Sequence, residues 1–174
     1  TVVFNGDILT DIDLSKMLAP HHERKSEATI ALVPVEDPSR YGLVETGDAG
    51  NVLRFLEKPK PEELASLKTN TINAGIYILE PTILDLIPEG ENRSFEYNVF
   101  PMILEKRIPF FAYILNKEYW RDIGTPESYL AAHHNILDGT VKGFQIDRSA
   151  RADIATAAQV DKRSVLGEGC VIKP

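Results

Sequence analysis

The chain has little cysteine, little aromatic surface and too little positive charge. Cys170 is its single cysteine among 174 residues, which rules out an internal disulfide framework and suits a reducing, cytoplasmic setting. Its apolar runs are far too short for a membrane-spanning helix, and no signal peptide opens the sequence, so a membrane partner is not expected. The net charge is −7, the wrong sign for binding nucleic acid through a bulk field. No Gly-x-Gly-x-x-Gly segment and no P-loop is present, so a self-contained nucleotide cradle is also missing. What remains, 43% hydrophobic and 26% charged, is an ordinary globular composition with about one domain's worth of chain.

The stretch that organises the rest is Tyr119-Trp120-Arg121-Asp122-Ile123-Gly124-Thr125-Pro126. It follows the apolar run Phe110 to Leu115, which reads as a buried strand, and it precedes a helix with Thr125 as N-cap and Pro126 at its first position. Asp122 therefore stands where a strand hands over to a helix, the place at which open α/β sheets bind ligands. A second aspartate, Asp7, ends Val2-Val3-Phe4-Asn5-Gly6-Asp7. If the two carboxylates meet, they form a site for a hard cation such as Mg²⁺.

Along the chain, Asp11 to Ala19 reads as a short amphipathic helix stopped by Pro20, and His21-His22 as solvated surface. Ala28 to Val35 is a strand. Tyr41 to Thr46 and Val52 to Glu57 flank a Gly/Asp/Asn turn as a hairpin. A surface helix is expected over Lys60 to Lys68, a strand over Asn70 to Leu79, and a helix over Thr82 to Ile87 after Pro81. Ser94 suits a cap for a turn through Asn98, with Pro101 restarting a helix to Lys106. In the helix after Pro126, His133 falls on an apolar stripe and is expected at the edge of the core. From about Val141 the pattern changes. Val160, Leu166 and Ile172 recur every six residues, as do Val165 and Val171, the period of a hexapeptide β-helix whose coils must stack to bury their faces.

Phe4-Asn5-Gly6-Asp7, Tyr41-Gly42, Phe55-Leu56-Glu57-Lys58-Pro59, Ile72-Asn73-Ala74-Gly75-Ile76-Tyr77 and Trp120 to Pro126 occur in this order. Together they resemble the later motifs of the nucleotide-sugar pyrophosphorylases (sugar-1-phosphate nucleotidyltransferases), most closely those of mannose-1-phosphate guanylyltransferases. The resemblance covers residues 1–138. It implies an α/β fold: the C-terminal part of a Rossmann-like three-layer α/β/α domain, followed over residues 139–174 by the start of a left-handed β-helix. It also implies transfer of a nucleotidyl group from a nucleoside triphosphate to a sugar 1-phosphate, with GDP-mannose favoured and UDP- or dTDP-glucose as other products.

By the same resemblance, Asp7 and Asp122 hold Mg²⁺, and Lys58 neutralises the sugar phosphate as a point charge. Gly6, Tyr41, Gly42, Glu57, Asn73, Ala74 and Gly75 join Lys58 in binding substrate. A sugar phosphate is already an anionic nucleophile, so alignment and charge neutralisation suffice, and no activated His, Ser or Cys is needed.

The family's Gly-Gly-x-Gly-Thr-Arg-Leu signature and later Pro-Lys-Pro are absent. The expectation is therefore that Thr1 is an interior residue of a longer natural protein. These residues alone would then be inactive, and the strands Val2–Phe4 and Ala28–Val35 partly uncovered. A homo-oligomer is expected. The competing classes are a non-catalytic regulatory homologue that binds nucleotide sugars, and a hexapeptide acyltransferase, against which the lack of a histidine in the repeats counts.

Overall fold

The computed structural model describes residues 1–38, 41–56, 69–147 and 151–174. Its centre is a mixed sheet built on the two longest strands, β3 (Ala28–Pro34) and β6 (Thr71–Leu79), which run antiparallel. Each carries an unbroken apolar run, Ile30–Val33 and Ile76–Leu79, as a strand covered on both faces needs. The hairpin strands β4 (Leu43–Thr46) and β5 (Val52–Leu56) extend the sheet beyond the first half of β6, and with β7 (Phe110–Ile114) the order is β5-β4-β6-β3-β7. Strand β1 (Val2–Phe4) lies antiparallel against the second half of β6, and β7 (Phe110–Ile114) runs parallel to β3. Strands β2 (Ile8–Thr10) and β8 (Trp120–Asp122) form a separate antiparallel pair.

Alternation along the strands separates two cores. Ala28, Ile30, Leu32, Tyr77 and Leu79 face Phe100 and Ile103 of α3 (Phe100–Glu105). Ala31, Ala74, Ile76 and Ile78 face Met17 of α1 (Leu14–Glu23). Helices therefore cover both faces, and the domain has three layers. A short α2 (Pro81–Leu84) follows β6, and a π-turn (Phe95–Val99) leads into α3. The last helix, α4 (Pro126–Leu137), starts at Thr125, whose hydroxyl accepts from Ser128 N–H, and has Pro126 in its first turn. No described helix is long and apolar enough to cross a membrane.

Several expectations are corrected. Helix α1 does not stop at Pro20 but runs through it to Glu23. The proline removes one donor from the ladder, and the following turn holds because His21 is buried beneath it. His21 is thus no surface residue: Nδ1 lies 2.7 Å from Thr29 Oγ1 and Nε2 3.0 Å from Glu80 Oε1. Helix α2 is shorter than Thr82 to Ile87: Leu86 and Ile87 N–H donate to Ile83 O and Leu84 O as tighter turns, and Pro88 brings no donor to continue the ladder. His133 is exposed rather than at the core edge, its ring packed on Tyr129 with centroids 4.4 Å apart. Strand β1 is uncovered, with Val2 45% and Phe4 43% exposed, but Ala28 to Leu32 of β3 are fully buried, because β6 and β7 flank them. The surface helix expected over Lys60 to Lys68 lies outside the described residues.

In the C-terminal segment, β9 (Asp153–Ile154) and β10 (Val171–Ile172) pair in parallel, with Val171 opposite Asp153 and Ile172 opposite Ile154. Asp153 N–H donates to Cys170 O and Ala155 N–H to Ile172 O.

Candidate active site

The cleft is assembled where two separate chain passages stop. After Phe4 the backbone leaves the sheet, with Asn5 N–H donating to Gly75 O at 2.8 Å, and re-enters an antiparallel pairing at Ile8. Ile8 stands opposite Asp122, and Ile123 N–H donates to Asp7 O at 2.8 Å. The two aspartates are therefore cross-strand neighbours. One point, the position of a Cβ on Gly124, lies 3.0 Å from Asp122 Oδ1 and 3.7 Å from Asp7 Oδ2. Gly124 N–H donates to Asp122 Oδ1 at 2.7 Å, fixing that carboxylate where α4 begins.

The opposite wall comes from β6 and from the segment before β4. Asn73 N–H donates to Gly42 O, placing Tyr41 and Gly42 beside Asn73. Gly75 has φ +71°, and a Cβ there would lie 2.8 Å from Asn5 Nδ2. Only glycine accepts both the backbone angle and this approach without strain. Trp120 Nε1–H donates to Ala74 O at 2.9 Å, tying β8 to β6, and its ring meets Tyr41 edge-on with centroids 6.2 Å apart.

These residues enclose an open cavity of about 300 Å³, lined by Asp7, Asp122, Tyr41, Gly42, Asn73 and Gly75 together with Asn5, Ile8, Glu96 and Trp120. Six residues singled out in the sequence thus meet in one place. Gly6 and Ala74 do not line it: Gly6 is exposed, and Ala74 packs in the core and contributes its carbonyl to Trp120. Glu57 and Lys58 lie outside the described residues.

Sequence reasoning missed Glu96. The π-turn presents it to the cleft, where Tyr77 Oη donates to Oε1 at 3.0 Å and Ser94 Oγ to Oε2 at 2.8 Å. A five-residue turn cannot be read from a hydrophobic period of 3.6, although Ser94 as its cap was legible. The Asn98 side chain accepts from Ser94 N–H at 3.0 Å and closes the same turn, a bond that an aspartate there would also make.

Chemically, the cleft offers two neighbouring hard carboxylates, amide and carboxylate groups for hydroxyls, and an aromatic edge. Among the described residues no cluster of three or more His, Cys, Asp or Glu side chains could enclose a metal. A pair of carboxylates is nevertheless the donor set with which Mg²⁺ is held when substrate phosphates and waters complete the octahedron. Asp7 and Asp122 fit that role.

The comparisons agree with this architecture. Residues 1–139 match the family model described as Nucleotidyl transferase. The chain is 38% identical over 173 residues to a probable mannose-1-phosphate guanylyltransferase 2 of Arabidopsis thaliana, covering 99% of this chain and 45% of that protein. It is 40% identical over 147 residues to a UTP–glucose-1-phosphate uridylyltransferase of Synechocystis sp., covering 83% of this chain and 37% of that protein. The crystal structure of HddC from Yersinia pseudotuberculosis superposes with a TM-score of 0.60 at 31% identity, covering 75% of this chain and 52% of HddC. The chain thus spans less than half the length of these curated relatives. With the family's model matched along the whole sheet and cleft, the chain belongs to the nucleotidyl transferase family.

Proposed function

We propose that these residues form the sugar-phosphate side of a nucleotidyltransferase that joins a nucleoside triphosphate to a sugar 1-phosphate. A phosphate oxygen of the sugar 1-phosphate attacks the α-phosphorus, the bond to the β-phosphate oxygen breaks, and pyrophosphate leaves. GDP-mannose is the favoured product, in keeping with the Arabidopsis relative, and UDP- or dTDP-glucose are the others. The observation that carries the reading is the meeting of Asp7 and Asp122 at one point of the cleft. Mg²⁺ held there would supply charge neutralisation for the reacting phosphates.

On this reading Asn73 and Glu57 bond sugar hydroxyls, and Tyr41 flanks the sugar. Gly42 and Gly75, which line the cleft, allow the backbone to approach it. Lys58 meets the phosphate as a point charge, a role consistent with a chain whose net charge would otherwise repel its substrates. A nucleoside triphosphate substrate and a free thiol suit the cytoplasm. The parallel register of β9 and β10, 18 residues apart, is three hexapeptide periods, which supports reading residues 139–174 as the first coils of a left-handed β-helix. The exposed apolar residues of that segment suit stacking or homo-oligomer formation.

The missing Gly-rich signature and the uncovered β1 edge support the further reading that residues 1–174 alone form no nucleotide sugar. The test is pyrophosphate release with mannose 1-phosphate or glucose 1-phosphate and each nucleoside triphosphate. It is run on these residues and on a longer chain that adds a Gly-rich nucleotide-binding segment. Turnover by the longer chain only is expected. Turnover by residues 1–174 would overturn the division of labour, and an inactive longer chain would favour a regulatory protein.

A further inference from the structure

Tyr77 is completely buried, yet its hydroxyl stands between two cleft residues. Asn73 Nδ2 donates to Tyr77 Oη at 2.9 Å, and Tyr77 Oη donates to Glu96 Oε1 at 3.0 Å. Both ends of this chain are anchored by groups with only one possible role. At one end Gly75 N–H, which can only donate, points at Asn73 Oδ1 from 2.9 Å. At the other end an ionised Glu96 can only accept, and its second oxygen is held by Ser94 Oγ. The direction of every proton between them follows: the phenol gives its hydrogen to Glu96 and receives one from the amide. A flip of the Asn73 amide would set two acceptors against each other at Glu96's relay and two donors at Gly75.

We propose, resting on the sugar-phosphate reading above, that Tyr77 is a positioning residue that locks the Asn73 amide with its nitrogen toward the Tyr77 hydroxyl. The remaining Nδ2 hydrogen is then a preset donor to a hydroxyl oxygen of the bound sugar. The donor is fixed before substrate arrives, so binding does not have to select one of two amide orientations. Burial is the larger cause, and the Glu96 charge a further one, that raises the Tyr77 hydroxyl above the ordinary phenol range, so the relay keeps its proton throughout the working pH range. The π-turn has a function in the same scheme: Ser94 and Asn98 hold the turn that brings Glu96 within reach of a hydroxyl rooted in the sheet.

The experiment compares wild type, Tyr77→Phe, Asn73→Ala and the double variant in the longer nucleotide-binding chain, with mannose 1-phosphate and glucose 1-phosphate as probes. Tyr77→Phe keeps the ring and its packing. It is expected to raise KM for the sugar phosphate roughly tenfold, the equivalent of one hydrogen bond, with kcat within about twofold. In the Asn73→Ala background the same change should add nothing, because its effect passes through Asn73. Unchanged KM, additive effects or an equal fall in kcat would overturn the proposal.

A wild type that makes no nucleotide sugar would overturn the functional reading instead. The orientation lock is then decided by solvent exchange of the Asn73 side-chain amide in ¹⁵N-asparagine-labelled protein. Slow exchange in wild type and fast exchange in Tyr77→Phe support it, and equal exchange overturns it.

Discussion

The sheet domain and the C-terminal segment use apolar residues in opposite ways. In the first, residues distant in sequence converge, and Tyr77, Phe100, Ile30 and Leu32 are completely buried. In the second, the repeat residues Val165 and Val171 remain 47% and 62% exposed, although their spacing is the most regular in the chain. A three-layer domain closes its own core, whereas a coil of a stacked array buries its face only against the next coil. On the β-helix reading proposed above, the regular spacing belongs to a surface that a further coil covers, whereas the sheet domain has already buried its apolar residues.

The sharpest way to break this comparison is at the cleft. In the longer nucleotide-binding chain, Asp7→Ala or Asp122→Ala should lower turnover by roughly 10²–10³-fold or more, the scale of losing a preorganised group that stabilises transition-state charge. For Asp7→Ala the thermal midpoint should change little, since Asp7 is exposed, whereas Asp122→Ala also removes the acceptor of Gly124 N–H and should lower it. An equivalent change in the repeats, Asp153→Ala, should leave turnover within about twofold, as expected of an exposed site away from the chemistry. Equal losses would mean that the two regions share one function.

Stability gives the next contrast. Phe100 packs against Phe55, Tyr77, Phe95 and Phe110, so Phe100→Ala should destabilise by about 3–5 kcal/mol in urea titration. Val165→Ala should stay within about 0.5 kcal/mol, since the side chain is half in water.

Two glycines sharpen it further. Gly75 and Gly169 have nearly the same backbone angle, φ +71° and +74°. Nothing lies within 4 Å of a Cβ at Gly169, whereas at Gly75 the Asn5 side chain stands in the way. Gly169→Ala should therefore show the conformational strain alone, about 1–2 kcal/mol. Gly75→Ala should exceed it and also weaken sugar-phosphate binding, because Asn5 must move away from the cleft. Equal stability losses would show that Asn5 yields without effect.

The same contrast explains what could be read in advance. The strand–helix junction at Asp122 was legible because Thr125 and Pro126 are chemically suited to start a helix, and Asp7 because a strand-like run ends there. Their meeting was not legible, since it depends on the pairing of Ile8 with Asp122 across most of the chain. The helix through Pro20 was misread because a local breaker was weighed without the buried His21 that holds the next turn. Glu96 was missed because a π-turn has no sequence period. In the tail the six-residue period was visible, and Val165 and Val171 are left exposed, as the β-helix reading proposed above expects of a coil without its neighbour.

The smallest expected effect concerns two ion pairs that look alike. Glu80 meets His21 at 3.0 Å on the sheet domain, and Asp161 meets Arg163 at 3.1 Å in the tail. The hydrogen bond from His21, and secondarily its charge, holds the Glu80 carboxyl below its ordinary value. A depressed carboxyl contributes stability that is fully present above the unfolded value of about 4.3 and is lost as pH falls through the folded value. Glu80→Gln should therefore lower the thermal midpoint slightly at pH 7, with the difference from wild type shrinking as pH falls below the unfolded value of about 4.3 and vanishing once Glu80 is protonated in both states. Asp161 is depressed too, by the hydrogen bond from Arg163, but it is fully exposed, and solvent and salt screen the pair. Asp161→Asn should leave the midpoint unchanged at every pH. The difference lies in the partner: His21 is fixed beneath α1 with Thr29 on its other nitrogen, so Glu80 meets a donor whose ordering is already complete. Arg163 must give up its own freedom to make the same bond. A matching pH dependence for the two variants would show that burial of the partner contributes nothing.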